Sequence, residues 1–536
     1  MKSCKGNISA GRTRFARSAA GTRLAASTAH TPFATNSGHT PFARKAGTFA
    51  LSACLAVLLA ACAGCSSTSA SSSASASTSA SASVSSQTTS SVPTKDSLTI
   101  TQTIENSADG EHAITADGQE ASYANTAVTK TGDSDSGDEA DFYGDNAAIF
   151  ATNGATLDLN EMLVETAGKH ANGVFSYGEG TTVNISNSVI ETTGDCSGGL
   201  MTTGGGTMNA TNLSISTSGN SSAAIRSDRG GGTVTVNGGA YKTTGTGSPV
   251  IYSTADITVS NATLESTASQ GVVVEGKNSV ALNNVDLTAD NNTKNSDKSS
   301  YYQAVMIYQS MSGDAATGKA SFAMDGGSIT NANGDVFFVN NTVAEINLTG
   351  ANIVNNGNGA FLRAEAAGWG SDGSNGGQVT LNASAQTING NMVVDSVSNL
   401  NLYLGDASMF TGAINSDGEA GDVYVELSGG SKWVLTADSY ITSLTCDASS
   451  IDLNGHTLYV NGVAYTSGTS STGSAIEVVA TSGSGNGGGG MGGGMGGDKP
   501  DGEAPDGEGG GAGGAGGDKP DSKPDAAPGG EGGGKQ

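Results

Sequence analysis

Short segments in which apolar and polar residues alternate fill the middle of the chain, and Gly or Asn residues separate them. Alternation with a period of two places the apolar residues of each segment on one face of a β-strand. The pattern therefore predicts many short strands, each with one buried face. The clearest segments are TLDLN (156–160), TVNIS (182–186), TVTVN (233–237), DITVS (256–260), SVALN (279–283) and QVTLN (378–382).

A second kind of segment precedes each alternating strand, and its copies align into one apolar column. Nine copies are spaced by 22 to 33 residues, and weaker copies occur at Ile114, Val393, Ile414 and Ile441. Self-similarity at this period is typical of a solenoid, here with about 13 turns. The column expected to point inward is Ile149, Val174, Leu200, Ile225, Ile251, Val273, Met306, Phe337 and Phe361.

A third short strand follows in each turn and often ends in Thr-Gly or Ser-Gly. Three strands in a turn of about 25 residues is the pattern of a parallel β-helix, in which stacking of neighbouring turns buries the apolar faces. The sequence thus predicts an all-β, right-handed parallel β-helix over residues 97–465. An antiparallel sandwich is disfavoured, because a sandwich does not repeat one residue column nine times.

The two ends of the chain have a different composition. Residues 62–96 are rich in Ser and Ala, and residues 466–536 are rich in Gly, Asp and Pro. Neither segment has enough apolar residues to bury a core, so we expect a disordered stalk and a disordered tail.

The first 61 residues resemble an export signal. An apolar run at 48–61 follows Arg44 and Lys45 and ends in Leu59-Ala60-Ala61-Cys62, which resembles the lipobox of bacterial lipoproteins. The run has the length of a signal-peptide core and is too short to span a bilayer. We therefore expect an exported protein anchored to the cell membrane by lipid on Cys62, with its body facing outwards.

The charge of the chain excludes one class of partner. The net charge is −26, and removal of residues 1–61, which hold eight basic and no acidic residues, makes it about −34. So acidic a surface repels nucleic acid and attracts cations. Cys196 and Cys446 are the only cysteines of the predicted body, and they imply no disulfide scaffold.

An acidic insertion between the turns at Ile114 and Ile149 is a candidate Ca²⁺ site. Closely spaced carboxylates with Gly for tight turning suit this ion, which takes six to eight oxygen ligands. A solvated acidic loop is the alternative interpretation. The candidate ligands are Asp133, Asp135, Asp138, Glu139, Asp141 and Asp145.

A candidate ligand-binding face lies beside the inward column. The neighbouring residues should point outwards, yet most are large and apolar, and insertions at 309–319 and 364–377 leave the same side. Aromatic faces beside carboxamides and carboxylates commonly hold sugars. A loop or a partner subunit could instead cover this column. The outward column is Phe150, Phe175, Met201, Arg226, Tyr252, Val274, Ile307, Phe338 and Leu362, and the candidate contacts are Tyr252, Tyr308, Gln309, Asp314, Phe338, Glu365 and Trp369.

The lipobox, the Ser/Ala stalk, the Gly-Met-Gly tail and stretches such as DFYG (141–144) and VMIYQSMSG (305–313) resemble adhesin-like β-helix surface lipoproteins of anaerobic bacteria. The resemblance covers nearly the whole mature chain. It implies a cell-surface location and, in some relatives, carbohydrate binding, but it carries over no set of functional residues.

These observations favour a non-catalytic surface protein that recognises a polysaccharide or a host-surface glycan. The acidic surroundings favour a neutral polymer, or an acidic one bridged by Ca²⁺. A polysaccharide lyase or hydrolase is an alternative, and its best candidate cluster is Arg226, Asp228 and Arg229 near Glu275 and Lys277. A purely architectural surface rod is a third.

Overall fold

The computed structural model describes residues 91–294 and 296–478, except for the side chain of Asp138. The predicted parallel β-helix is confirmed. Its successive turns contribute strands to three faces, and the strands of neighbouring turns pair in parallel. The first face is an 11-stranded sheet of Ile114–Asp117, Ile149–Thr152, Val174–Tyr177, Leu200–Thr203, Ile225–Ser227, Ile251–Ser253, Val272–Glu275, Gln303–Tyr308, Asp335–Asn340, Leu362–Ala364 and Met392–Val394.

The second face carries the alternating segments, and two long strands continue from it into the third face. These two strands join the second face and part of the third into one 21-stranded sheet. The second face consists of Glu120–Ala124, Thr156–Asn160, Thr182–Ser186, Gly206–Thr217, Gly232–Thr243, Asp256–Ser260, Ser279–Asn283, Lys319–Asp325, Thr342–Thr349, Gly377–Ser384, Asn399–Gly405, Asp422–Leu427 and Ser443–Thr445.

The third face closes each turn, and its last strands form a separate four-stranded sheet. Its strands, besides the two long ones, are Gln102–Asn106, Thr126–Lys130, Leu163–Thr166, Val189–Thr192, Thr263–Ser266, Asp286–Ala289, Ser328–Asn331, Asn352–Asn355, Thr387–Asn389, Met409–Thr411, Lys432–Val434 and Ile451–Asp452. The described helices are the 3-10 helix Lys95–Ser97 and the α-helix Asp138–Tyr143.

Inward residues of all three faces form one continuous apolar core. On the second face, Ile185, Ala210, Val236, Val259 and Leu282 lie on consecutive turns in paired register, and all are buried. This is the face that strict alternation predicted, because every second residue of its segments is apolar.

The corner between the second and third strands is often a single residue with positive φ. Asn187, Asn212, Asn261 and Asn284 have φ between 49° and 55° in these corners. Asn tolerates this left-handed conformation better than most residues. Its side chain also bonds along the stack, since the Asn212 amide donates to Asn187 Oδ1 at 3.0 Å. The recurrent Asn after each alternating strand is thereby explained.

Glycines at the end of the third strand stack on one another without room for a side chain. A Cβ on Gly194 would lie 1.9 Å from the carbonyl oxygen of Gly168, and a Cβ on Gly219 would lie 1.8 Å from that of Gly194. The Thr-Gly and Ser-Gly pairs of the sequence therefore mark places where the backbones of successive turns pack directly together.

The predicted register of the first face is wrong at three of its nine aligned turns. Ile251 pairs with Val272, which pairs with Val305, and Phe337 pairs with Leu362. The predicted inward residues Val273 and Met306 therefore lie in the outward cluster, whereas Phe361 is one position out of register but is buried in the core, as predicted. These turns contain runs such as VVV and VMI, in which consecutive apolar residues leave no alternation to read. Consequently Val274, Ile307 and Leu362, predicted to point outwards, belong to the core.

The last turns end in a three-stranded sheet of Ser439–Ile441, Leu458–Val460 and Val463–Ala464. Its last strand pairs antiparallel, unlike those before it. Beyond it, the chain still bonds to the β-helix, because the backbone of Ser471 bridges to Cys446 and the Ile476 amide donates to Asn401. None of the described helices is long and apolar enough to cross a membrane. Cys62, most of the stalk and the tail from residue 479 lie outside the described residues.

Candidate ligand-binding site

The outward column of the first face is apolar, as predicted, but it is buried. In its central part, Tyr252, Val273, Met306 and Phe338 lie on consecutive turns and form a second apolar cluster with Tyr308 and Trp369. Segments of the chain itself cover this part: Tyr301 packs on Phe338, with ring centres 6.2 Å apart. Trp369, a predicted ligand contact, is 8% exposed and packs edge-on against Tyr308, with ring centres 5.2 Å apart.

The acidic insertion covers the other part of the column. Its helix, Asp138–Tyr143, lies beside Phe175 and Met201, which are fully buried in a third apolar cluster with Ala147. The Thr203 hydroxyl donates to the Phe142 carbonyl at 2.6 Å, and the Arg229 guanidinium lies 3.9 Å from the centre of the Phe142 ring. The structure therefore shows that loops of the same chain cover the outward column, which was the second of the two interpretations.

A cavity of about 700 Å³ remains in the covering layer. It lies among the segments that connect the turns around residues 291–294, 296–299, 310–312 and 368–369, above the first face. Its volume is within the range of small-ligand sites. It is lined by Gly247, Pro249, Tyr252, Ser269, Gln270, Val273, Asn291, Thr293, Lys294, Ser296, Asp297, Lys298, Ser299, Gln303, Met306, Tyr308, Ser310, Met311, Ser312, Gly368 and Trp369.

A buried carboxylate fixes the tyrosines of the cavity. Glu275 is 1% exposed and accepts hydrogen bonds from the hydroxyls of Tyr252, Tyr308 and Ser310, and from the Ser310 backbone amide. Burial, reinforced by the Glu275 charge, holds the pKa of Tyr252 and that of Tyr308 well above the ordinary value of 10. Both phenols therefore stay protonated and donate hydrogen bonds to Glu275, so neither is available as a base.

Two lysines line the cavity, in a chain with few cations. The Lys294 ammonium donates to the carbonyls of Ser299 and Ser300, at 3.1 and 2.7 Å, and so closes its own loop. The Lys298 ammonium lies 5.7 Å from the centre of the Trp369 ring. Asp297 is the one carboxylate among the described lining residues.

Of the predicted ligand contacts, Tyr252, Tyr308 and Trp369 line the cavity. Phe338 lies beneath Tyr301 in the same apolar cluster. The three predicted polar contacts have partners within the protein. Gln309 is buried, and its amide donates to the Ala315 carbonyl at 3.3 Å. Asp314 pairs with Arg229 at 3.0 Å and Glu365 pairs with Arg363 at 3.1 Å.

Sequence reasoning missed Lys298, Gln270 and the outward direction of Met306 as features of this site. Lys298 lies in the longest interval between aligned turns, so the extra length did mark an insertion there. No periodic pattern relates such a loop to its neighbours, and nothing in the sequence indicated that Lys298 and Trp369 meet.

The candidate calcium ligands separate into different environments. Asp133 accepts from the Lys169 amide at 2.7 Å, and Asp145 accepts from the hydroxyls of Ser134 and Ser136. Asp135 and Glu139 are exposed, and Asp138 begins the helix. Asp141 lies within that helix and is buried. Calcium binding by this loop stays a prediction.

Asp141 belongs to a buried network of charges. Its carboxylate lies 3.0 Å from His170 Nδ1 and 3.1 Å from the Arg226 guanidinium, which also pairs with Asp228 at 2.7 Å. Burial raises the pKa of Asp228 to about 6, although Arg226 lowers it. Among the described side chains, the metal-ligating groups whose ligand atoms come within 4.8 Å of one another are Asp141, His170 and Cys196. The network joins the helix of the insertion to the first face.

Comparison with known protein families, curated proteins and solved structures finds no match to this chain.

Proposed function

We propose that this chain is an exported, lipid-anchored surface protein that binds a glycan in the cavity beside Tyr252, Tyr308 and Trp369, and does not cleave it. The observation that carries the proposal is the composition of the cavity wall. Aromatic and aliphatic side chains form its base, and Gln270, Asn291, Gln303 and several hydroxyls surround them. A sugar presents apolar ring faces and polar edges, and this combination matches it.

The cavity favours binding over cleavage. Hydrolysis of a glycosidic bond ordinarily uses two carboxyl groups on either side of it, and elimination needs a general base near the sugar. Asp297 is exposed and is the single carboxylate of the described lining. Glu275 lies behind the tyrosines and is occupied by four hydrogen bonds. The high pKa of each phenol disfavours its use as a base at neutral pH.

A glycan array probed with the purified chain tests the proposal, followed by calorimetric titration of any hit. Gln270→Trp should fill the cavity and weaken binding at least tenfold, because half-buried Gln270 lines it near Met306. Gln378→Trp is the matched control, since Gln378 is also half-buried but lies on the second face. Equal loss of affinity in both variants would contradict the site.

Release of reducing ends or unsaturated products from a polysaccharide panel would favour the enzyme instead. Absence of both binding and cleavage across the panels would favour the architectural rod. The membrane anchor has its own test: Cys62→Ala should release soluble protein and abolish incorporation of labelled fatty acid, because lipidation requires the thiol. Unchanged labelling would refute Cys62 as the site.

A further inference from the structure

The position of Lys298 at the cavity is fixed through its backbone. Its carbonyl accepts a hydrogen bond of 2.7 Å from the amide of Gly368, the residue before Trp369. The two segments touch so closely that a Cβ on Gly368 would lie 3.0 Å from both Cα and Cβ of Lys298. This contact brings the ammonium above the Trp369 ring.

The Lys298 ammonium has no acidic partner among the described residues, and the same holds for the exposed Lys277 and Lys294, whereas three other exposed lysines are paired. Lys95 pairs with Glu165 and Glu191, Lys242 pairs with Glu265, and Lys319 pairs with Glu345. The acidic residues outnumber the basic ones by 50 to 24, and Lys298 is the lysine of the described cavity lining whose ammonium binds neither a carboxylate nor a carbonyl of the described residues.

The side chains that line the cavity carry a net charge opposite in sign to that of the chain, while the buried carboxylate of Glu275 lies behind the wall. Lys294 and Lys298 against Asp297 leave the described lining with one positive charge, whereas the whole chain carries −26. Lys294 is committed to the carbonyls of its own loop. Lys298 is therefore the group that a ligand can neutralise, and the expectation of a neutral polymer, drawn from the overall charge, does not apply at this site.

We infer that the cavity takes a sugar bearing a carboxylate, which Lys298 binds while the ring rests against the aromatic and aliphatic wall. This inference rests on the proposed function and names its ligand class. A hydrogen bond between an ammonium and a carboxylate is stronger than one between neutral groups, and a partly enclosed site strengthens it further. Ammonium groups recognise a single charge without the planar geometry of Arg, so several acidic sugars fit this chemistry.

The test is a calorimetric titration of the full chain with oligomers of galacturonic, glucuronic and mannuronic acid, each beside its carboxyl-reduced neutral form. The native protein should bind one acidic oligomer at least tenfold more tightly than its neutral form. Lys298→Gln should remove that preference by lowering the affinity for the acidic oligomer towards the affinity for its neutral form. Lys298→Arg should retain most of the preference for the acidic oligomer. Added salt should weaken binding of the acidic oligomer but not of its neutral form.

Lys277→Gln is the matched control, because Lys277 is exposed, lies outside the cavity lining and carries the same charge. Equal affinity of native protein and Lys298→Gln for the acidic oligomer would overturn the inference. Suppose that neutral sugars bind, that Gln270→Trp blocks this binding, and that Lys298→Gln does not change it. The proposed function then stands, and the inference that the ligand bears a carboxylate is wrong. If no sugar of either kind binds, both fall.

Discussion

The Tyr308 hydroxyl donates a hydrogen bond of 3.0 Å to the carboxylate of Glu275, which belongs to the preceding turn of the first face. The same carboxylate accepts from Ser310, at the start of the loop that follows Tyr308. One buried charge thus ties the cavity wall to the β-helix.

Replacement of Glu275 by Ala should therefore destabilise the protein strongly. Two buried phenols lose their acceptor, and each unsatisfied group costs about 1–3 kcal/mol, so we expect a loss of about 2–6 kcal/mol in the free energy of unfolding. Tyr308→Phe should cost less, since it removes one donor. Tyr177→Phe is the control, expected to change stability by less than about 0.5 kcal/mol. Chemical denaturation measures all three, and a Glu275→Ala protein as stable as the control would refute the network.

The inward direction of Val236 gives a second prediction. Val236 is fully buried, between Val259 on one side and Ala210 on the other. Ile185 lies one turn further away, on the other side of Ala210. Val236→Asp places a charge without a partner in the core and should cost several kcal/mol, on the order of 3 or more. Thr235→Asp, one residue away on the exposed side, should melt almost as the native protein does. Similar melting of both variants would contradict the inside–outside assignment.

Val236 and Glu275 show how much of the structure the sequence could predict. Strict alternation around Val236 fixed the second face and the turn spacing, because apolar burial demands a period of two. Around Val273 and Met306 consecutive apolar residues gave no such period, and the register was predicted one residue out. The cavity could not be predicted, because it depends on where Lys298 and Trp369 meet between two non-periodic loops. Burial of Glu275 was equally hidden, since only the loops above it exclude water.

The buried Arg226 should be essential to the docking of the acidic insertion. Arg226→Met leaves Asp141 and Asp228 buried without a cation, and breaking such a pair costs about 3–5 kcal/mol. Lys242→Met is the control, because the Lys242–Glu265 pair is about half exposed and worth about 1 kcal/mol or less. Urea denaturation at pH 7 should separate the two variants clearly. Equal losses in both would show that the network contributes little.

The loss of stability in Arg226→Met should depend on pH. Burial raises the pKa of Asp228 to about 6 in the native protein, so the folded state takes up a proton more readily than the unfolded chain. Stability from this group therefore increases as the pH falls through 6. Without Arg226 the pKa should rise further, and the deficit of Arg226→Met should shrink between pH 7 and pH 5. A deficit that grows on acidification would contradict this assignment.

His112 should contribute in the opposite direction. Burial lowers the pKa of its imidazole, which stacks on Phe150 with ring centres 4.5 Å apart, although the contact of 2.8 Å between Nδ1 and the Ala147 carbonyl and the charges of Asp145 and Glu111 raise the pKa. The folded state thus favours neutral His112, and its stability is lost as the pH falls below about 6.5. His112→Gln should lose less stability between pH 7 and pH 5 than the native protein. An unchanged pH profile of the melting temperature would exclude His112 as a cause.

Tryptophan fluorescence can show directly whether a glycan enters the cavity beside Trp369. The sequence has two tryptophans, and the other, Trp433, is fully buried in the core, where its indole donates to the Gly412 carbonyl. In a Trp433→Phe protein the emission therefore reports on the cavity alone. A glycan identified on the array should change this emission saturably, with the dissociation constant found by calorimetry, and the change should vanish in Trp369→Phe. A glycan that binds by calorimetry but leaves the Trp369 emission unchanged would place the site elsewhere and contradict the account.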